Sequence, residues 1–286
     1  MNIPQSCGRE GRCAPGKFGN RCICPAGWMG RGCRRPCQDI YTACKRWKSE
    51  NKCTWTKRIF PFYADNCGAS CGACQHGNIK LRHALPPLLE NIAWFIGRWE
   101  CTTTSGERYP ESISGAYHEI LDVAPSEVPE FDRPPVNITV TTRTLDGRDM
   151  HIDLGFLTSK PFNENTGFID VNKPLEGDDL VAIETVNNNG MLIIEEGTVT
   201  PTEIKLEMKH RKSILSHWKE FRESKRMFIL RSPDLLEERV YVKDWHGREK
   251  KWLKRYKKTF DYLQDYVLFT EEIGIFHSPT QRSRKG

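Results

Sequence analysis

Apolar and polar residues alternate with a period of two along most of the chain beyond residue 114, the pattern of half-buried β-strands. The alternating stretches are residues 114–123, 136–144, 149–157, 167–171, 180–186, 191–199, 203–210, 220–230, 237–243 and 250–260. Turn chemistry separates them: a loop with Pro125, Pro129, Pro134 and Pro135, then Asp146-Gly147, then Asn187-Asn188-Asn189-Gly190. A short apolar segment ends at Gly97 and a first strand starts at Trp99, which predicts an aromatic plug at one mouth of a barrel. Around ten short strands with no long helix predict a mainly β fold, an antiparallel barrel of about ten strands, because closure leaves no unpaired edge. A barrel of that strand number is wide enough to hold a ligand.

The front of the chain changes the picture. Eleven of the twelve cysteines lie between Cys7 and Cys74, and Cys101 stands alone on the first barrel strand. Residues 1–78 hold thirteen Lys/Arg against four Asp/Glu, whereas the remainder holds thirty against thirty-three, so the net charge of +6 belongs to the front. Such cysteine density without an apolar core implies disulfides and an oxidising compartment. No signal-peptide pattern precedes Cys7 and no apolar run reaches transmembrane length. The expectation is a secreted chain whose true N-terminus lies upstream, with no membrane span and no nucleic-acid partner.

Two cysteine frames are distinguishable. The first runs Cys7-x5-Cys13-x8-Cys22-x-Cys24-x8-Cys33, and its Cys22-Ile-Cys24-Pro-Ala-Gly27-Trp28-Met-Gly30-Arg-Gly-Cys33 resembles the C-terminal half of an EGF-like domain. That resemblance implies the pairs Cys7–Cys22 and Cys24–Cys33 and leaves Cys13 over. The second runs Cys37-x6-Cys44-x8-Cys53-x13-Cys67-x3-Cys71-x2-Cys74, with Asp39 and Trp47 inside it. It resembles the ShKT domain of nematode secreted proteins, which implies Cys37–Cys74, Cys44–Cys67 and Cys53–Cys71. Within a complete six-cysteine frame, Cys71-Gly-Ala-Cys74 is read as disulfide rather than redox or zinc chemistry. The channel-blocking Lys-Tyr pair of ShK toxins falls near Arg58-Ile59, where no tyrosine follows, so channel block is disfavoured. The expected organisation is a partial EGF-like module at 1–36, a ShKT domain at 37–74, a linker at 75–85, the barrel at 86–260 and a tail at 261–286.

Three motifs in order give the barrel its resemblance: Gly97-x-Trp99…Tyr109-Pro110, Met150-His151-x-Asp153-x-Gly155-Phe156, and Gly190-Met-Leu-Ile-Ile-Glu195-Glu196-Gly197-x-Val199, closed by Tyr256-Lys257-Lys258. Together they resemble the nitrobindins, calycin-like ten-stranded barrels once described as fatty-acid-binding-protein-like. The resemblance implies ferric haem as cofactor, held through one histidine on the last strand. Counting back from Tyr256-Lys257-Lys258, that position is Lys251, and His246 is the nearest histidine. With Lys251, Leu253 and Arg255 facing inward, the cavity gains positive charge suited to a fatty-acid carboxylate or a haem propionate; a one-residue shift makes them exterior. His151 and Asp153, two apart, share one strand face, and the resemblance implies a histidine lining the pocket there. Trp99, His151, Asp153, Lys251 and Leu253 are therefore the candidate ligand contacts, and His246 the candidate iron ligand. Glu195-Glu196 stand before a turn glycine and read as fold-determining. Cys101 reads as a buried free thiol, with pairing to Cys13 as the alternative, and Asn137-Ile138-Thr139 is a glycosylation sequon.

These features give three readings. In the first, a secreted multi-module protein binds a small hydrophobic or haem-like ligand in its barrel, and its disulfide modules meet an extracellular protein or matrix partner. A haem enzyme, which by resemblance isomerises peroxynitrite, is the second. The third is an interaction protein working through its ShKT and EGF-like modules beside a degenerate barrel. No catalytic residue at recognisable spacing supports hydrolysis.

Overall fold

The computed structural model describes residues 11–16, 19–30, 32–55, 62–77, 79–81, 84–126, 136–159, 179–214, 221–263 and 267–269. Cys7, the loop prolines 129, 134 and 135, residues 58–59, the expected strand at 167–171 and the basic end of the tail lie outside them, as does the side chain of Cys13. In chain order the first elements are β1 (Arg12–Gly16), β2 (Gly19–Ile23), β3 (Trp28–Met29) and β4 (Arg35–Pro36). Four short helices follow, α1 (Cys44–Ser49), α2 (Lys52–Trp55), α3 (Phe62–Asn66) and α4 (Gly68–Cys71), then β5 (Ile79–Leu81) and a 3-10 helix over Pro87–Phe95. The barrel strands are β6 (Gly97–Thr102), β7 (Tyr117–Pro125), β8 (Val136–Thr144), β9 (Met150–Ser159), β10 (Asp179–Asn187), β11 (Met191–Val199), β12 (Glu203–Ser213), β13 (Glu223–Ser232), β14 (Leu235–Lys243) and β15 (Glu249–Phe260). A last strand, β16, spans Val267–Phe269.

The chain divides into two compact units, Met1–Ala84 with Tyr266–Gly286, and Leu85–Asp265. In the first, disulfides join Cys24–Cys33, Cys37–Cys74, Cys44–Cys67 and Cys53–Cys71. Asp39 ties its frame together, accepting from the Ser70 backbone N–H at 2.9 Å and from the Ser70 hydroxyl at 2.5 Å. The segment expected as a linker contributes β5, which pairs with β16 from the expected tail. Gln38 completes that strand's hydrogen bonding: its Oε1 accepts from the Leu81 N–H at 2.8 Å and its Nε2 donates to the Leu81 carbonyl at 3.3 Å.

The second unit is a closed ten-stranded antiparallel barrel in the order β10-β11-β12-β13-β14-β15-β6-β7-β8-β9. β15 closes on β6, with Lys257 opposite Glu100 and Lys258 opposite Trp99. The apolar segment before Gly97 is the 3-10 helix. Its Leu89, Ile92 and Phe95 recur every three residues, matching the three residues per turn of that helix, and all are buried. Each contributes on the order of 1.5–3 kcal/mol by leaving water. Phe95 packs on Phe228 with ring centroids 4.9 Å apart, and Trp94 donates from Nε1 to the Thr200 carbonyl at 3.1 Å. Lys258 donates to the Ile96 carbonyl at 3.2 Å while its ammonium lies 4.6 Å from the centre of the Trp99 ring. Gly197 is not a turn residue: it lies inside β11 opposite Leu206, where a Cβ would overlap the Lys205 carbonyl of β12.

Candidate functional site

Strand alternation decides what enters the barrel. The inner face of β7 carries Tyr117, Glu119, Leu121 and Val123; that of β11 carries Met191, Ile193, Glu195 and Val199; that of β14 carries Leu236, Glu238 and Val240. One ionisable residue thus sits in phase with the apolar ones on each strand. β9 adds Asp153 and β15 adds Lys254, both buried, and β13 adds Arg226, which also lines the interior. The β6–β7 connection inserts Arg108, which is 1% exposed.

These groups form one buried network. Lys254 Nζ lies 2.6 Å from Glu119 Oε1 and 2.8 Å from Glu238 Oε2. The Tyr256 hydroxyl is 2.5 Å from Glu119 Oε1 and 2.8 Å from Glu238 Oε2, and its single hydrogen serves one of them at a time. Thr142 donates to Glu119 Oε2 at 2.8 Å and accepts from Arg108 Nε at 2.9 Å. Arg108 also pairs with Asp153, and Arg226 pairs with Glu195. The Arg226 guanidinium is sandwiched by rings, 4.7 Å from the centre of Tyr109 and 5.0 Å from that of Phe228.

The charges do not balance. Glu119, Asp153, Glu195 and Glu238 face Arg108, Arg226 and Lys254, four carboxyls against three cations. The physical result is a split among the acids. For Glu119, burial works upward, but Lys254 and then Arg108 outweigh it and hold the group down at about 2. For Asp153, burial dominates; Arg108 offsets it only in part, Glu119 repels, and the carboxyl is pushed up to about 6. Burial also raises Glu195 against the pull of Arg226. Lys254 goes the other way: burial would lower it, but Glu119 and Glu238 raise it, so it remains an ammonium.

The space left over is small. The interior cavity, lined by Phe95, Glu119, Asp153, Ile183, Lys254 and Tyr256 among others, measures about 20 Å³. That holds about one water, whereas sites for drug-sized ligands run to about 300–1,000 Å³. Haem therefore does not fit this cavity as its described residues stand. Nor is there a histidine on the last barrel strand, since β15 reads Glu-Lys-Lys-Trp-Leu-Lys-Arg-Tyr-Lys-Lys-Thr-Phe.

The sequence candidates fall in different places. Asp153 is inside the network. His151 is on the same inner face and buried; its Nδ1 has no hydrogen-bond partner, its Nε2 is 3.6 Å from Asp149 Oδ1, and burial, together with Arg108, lowers its pKa. Lys251 and Leu253 correct the inward expectation: both are exposed, and Trp252, Lys254 and Tyr256 take the inner phase of β15. Lys251 and Leu253 instead line a groove of about 690 Å³ on the barrel's outer face, with Met227, Tyr241, Lys225 and Arg239. His246 is exposed in the turn before β15, where its N–H donates to Asp244 Oδ1 at 2.9 Å, so it cannot reach the interior. Trp99 is fully buried and donates to the Phe95 carbonyl at 2.9 Å, bracing the plug rather than a ligand. Cys101 is a buried free thiol, so the alternative pairing with Cys13 is not formed.

Arg108, Glu119, Glu195, Arg226, Glu238 and Lys254 were not among the sequence candidates. The signal that finds most of them is a charged residue in phase with a strand's apolar positions. Arg108 has no such signal, because it enters from a loop.

Two family models match the chain. The THAP4-like, heme-binding β-barrel domain matches residues 88–258, and the ShK domain-like family matches residues 36–74. An uncharacterised Caenorhabditis elegans protein, C28H8.5, is 25% identical over 179 residues, covering 60% of this chain. The chain spans 56% of that relative's length. Among solved structures, Rv2717c from M. tuberculosis matches with a TM-score of 0.43 at 21% identity, over 61% of this chain and 98% of that one.

Proposed function

The chain belongs to the THAP4-like, haem-binding β-barrel family, and from that premise we propose a secreted interaction protein whose barrel serves as a rigid body filled by its own side chains. The observation that carries this reading is the Lys254 ammonium held between Glu119 and Glu238 in an interior with about 20 Å³ to spare. A fatty-acid tail has no room there, and a haem would have to displace three buried cations from their carboxylates. The disulfide-rich ShK-like module supports an oxidising, extracellular setting. Excess Lys/Arg in residues 1–78 favours an acidic protein or matrix partner. The barrel's outer groove sets Met227, Tyr241 and Leu253 among Lys225, Arg239 and Lys251, which pair with Glu207, Glu237 and Glu249, so it adds no charge preference of its own. Among the described residues no helix is long and apolar enough to cross a membrane.

Titration of the full chain with ferric haem, followed by Soret absorption, tests the reading. The expected result is no saturable shift, with His246→Ala and Lys251→Ala indistinguishable from wild type, and no lipid in native mass spectra. A one-to-one saturable shift would overturn it, and loss of that shift in His151→Ala would place the iron on the one buried histidine among the described residues.

A further inference from the structure

The strand β9 is more apolar outside than inside. Its inner positions carry His151, Asp153, Gly155 and the fully buried Leu157, while its outer positions carry Met150, the half-buried Ile152, Leu154 and Phe156. Leu154 is 57% exposed and Phe156 53%, and the neighbouring Val186 of β10, opposite Leu154, is 47% exposed. A water-facing apolar stripe of this kind marks a surface that something covers. On its other side lies β8, where Asn137 stands directly opposite Phe156 and Thr139 directly opposite Leu154. Asn137-Ile138-Thr139 is an Asn-x-Thr sequon, and Asn137 is exposed. Directly opposed residues on one face of an antiparallel pair have Cβ atoms about 4.5–5.5 Å apart. A sugar attached to Asn137 Nδ2 therefore begins its path beside the Phe156 ring. Its C–H-bearing face is a suitable partner for the electron-rich face of an aromatic ring.

We propose that Asn137 carries an N-linked oligosaccharide whose first ring lies over Phe156 and Leu154 and covers the apolar outer face of β9. The co-reactant is an oligosaccharide on a lipid pyrophosphate. Its sugar C1–O(phosphate) bond breaks, the C1–Nδ2 bond to Asn137 forms, the amide gives up one proton, and the lipid pyrophosphate leaves. The proposal rests on the secretory reading only for access to that donor. Expressing the chain behind a heterologous leader separates the two, because loading of Asn137 can then fail on its own account while haem binding is judged independently.

The test is the full chain secreted from a eukaryotic host. Intact mass and glycopeptide mapping are expected to find a glycan on Asn137, removed by peptide N-glycosidase and missing from Asn137→Gln and Thr139→Ala. Trimming to a single N-acetylglucosamine is expected to leave the barrel's Tm unchanged, because the first ring is the one that packs. Asn137→Gln is expected to lower that Tm by about 2–4 °C in the Phe156 chain and by less than about 1 °C in a Phe156→Thr background. An unmodified Asn137 overturns the proposal, as does an equal Tm loss in both backgrounds. Dimerisation of the glycosylated wild type that Phe156→Thr abolishes also overturns it, since a second copy would then be the cover.

Discussion

In the stapled unit, order comes largely from covalent loops: disulfides, Cys24–Cys33, Cys37–Cys74, Cys44–Cys67 and Cys53–Cys71 among them, close a segment whose small apolar cluster is Tyr41, Trp47, Phe62 and Tyr63, and its helices are four to six residues long. In the barrel, order comes from burial and hydrogen bonding, and the one cysteine, Cys101, is a thiol pushed up to about 12 by burial. Covalent loops of 18, 23 and 37 residues restrict the unfolded chain, about 3–4 kcal/mol each, and need no particular native interior. Buried ion pairs act on the folded state alone, and each depends on every partner remaining in place. The difference teaches that the stapled unit tolerates change inside its frame, whereas the barrel concentrates its vulnerability in a few interior charges.

The sharpest way to break this comparison is Lys254→Ala, which strands Glu119 and Glu238 without their shared cation. The expected loss is about 3–5 kcal/mol in urea unfolding of the barrel, with the stapled unit's hydrogen-exchange protection unchanged. A loss below about 1 kcal/mol would show that the network does not hold the barrel. Next in size is the paired substitution Cys44→Ser with Cys67→Ser. It is expected to cost the stapled unit about 3 kcal/mol and to leave the barrel's Tm where it was; a fall in both would mean the units do not melt independently.

The third effect is a pH slope, about 3 kcal/mol at most. Asp153 is raised from 3.8 to about 6 on folding, so the folded chain holds that proton more tightly than the unfolded one. Its contribution is therefore complete below about pH 4 and is lost as pH rises towards 6, at about 1.4 kcal/mol per unit. Glu119, lowered from 4.5 to about 2, has the opposite sign: its stabilisation is present above pH 4.5 and is lost as pH falls. Urea midpoints between pH 3 and 7 are expected to peak near pH 4–5. Asp153→Asn should flatten the decline above the peak and leave the acid limb intact. An unaltered decline in that variant would assign the excess charge elsewhere, Glu195 first.

Much of the barrel was legible in local pattern, because alternation reports a strand whether or not its partner is known. The network was half legible. Glu119 among Tyr117, Leu121 and Val123, and Glu238 between Leu236 and Val240, are charges on an otherwise apolar phase, a readable warning. Lys254 was not, because both phases of β15 mix charged and apolar residues. Its inward phase follows from pairing with β14, where Lys254 lies opposite Glu238 and Arg255 opposite Glu237. For β9 the local pattern points the wrong way: its outer phase is the more apolar one. Three-residue strands such as β5 and β16 carry too little pattern to be seen at all, and they pair across most of the chain's length, Leu81 opposite Val267.

By itself, then, the sequence determined that a ShK-type disulfide frame stands ahead of a barrel, where most of that barrel's strands run, and that the last of them lacks a histidine. Only the tertiary structure decided which side of each strand faces in, and hence that Lys254 rather than Lys251 occupies the interior. The physical reason is the strand's period of two. A shift of one residue exchanges the whole set of side chains between core and solvent, and the choice is made by the partners a closed sheet supplies, not by the strand's own residues.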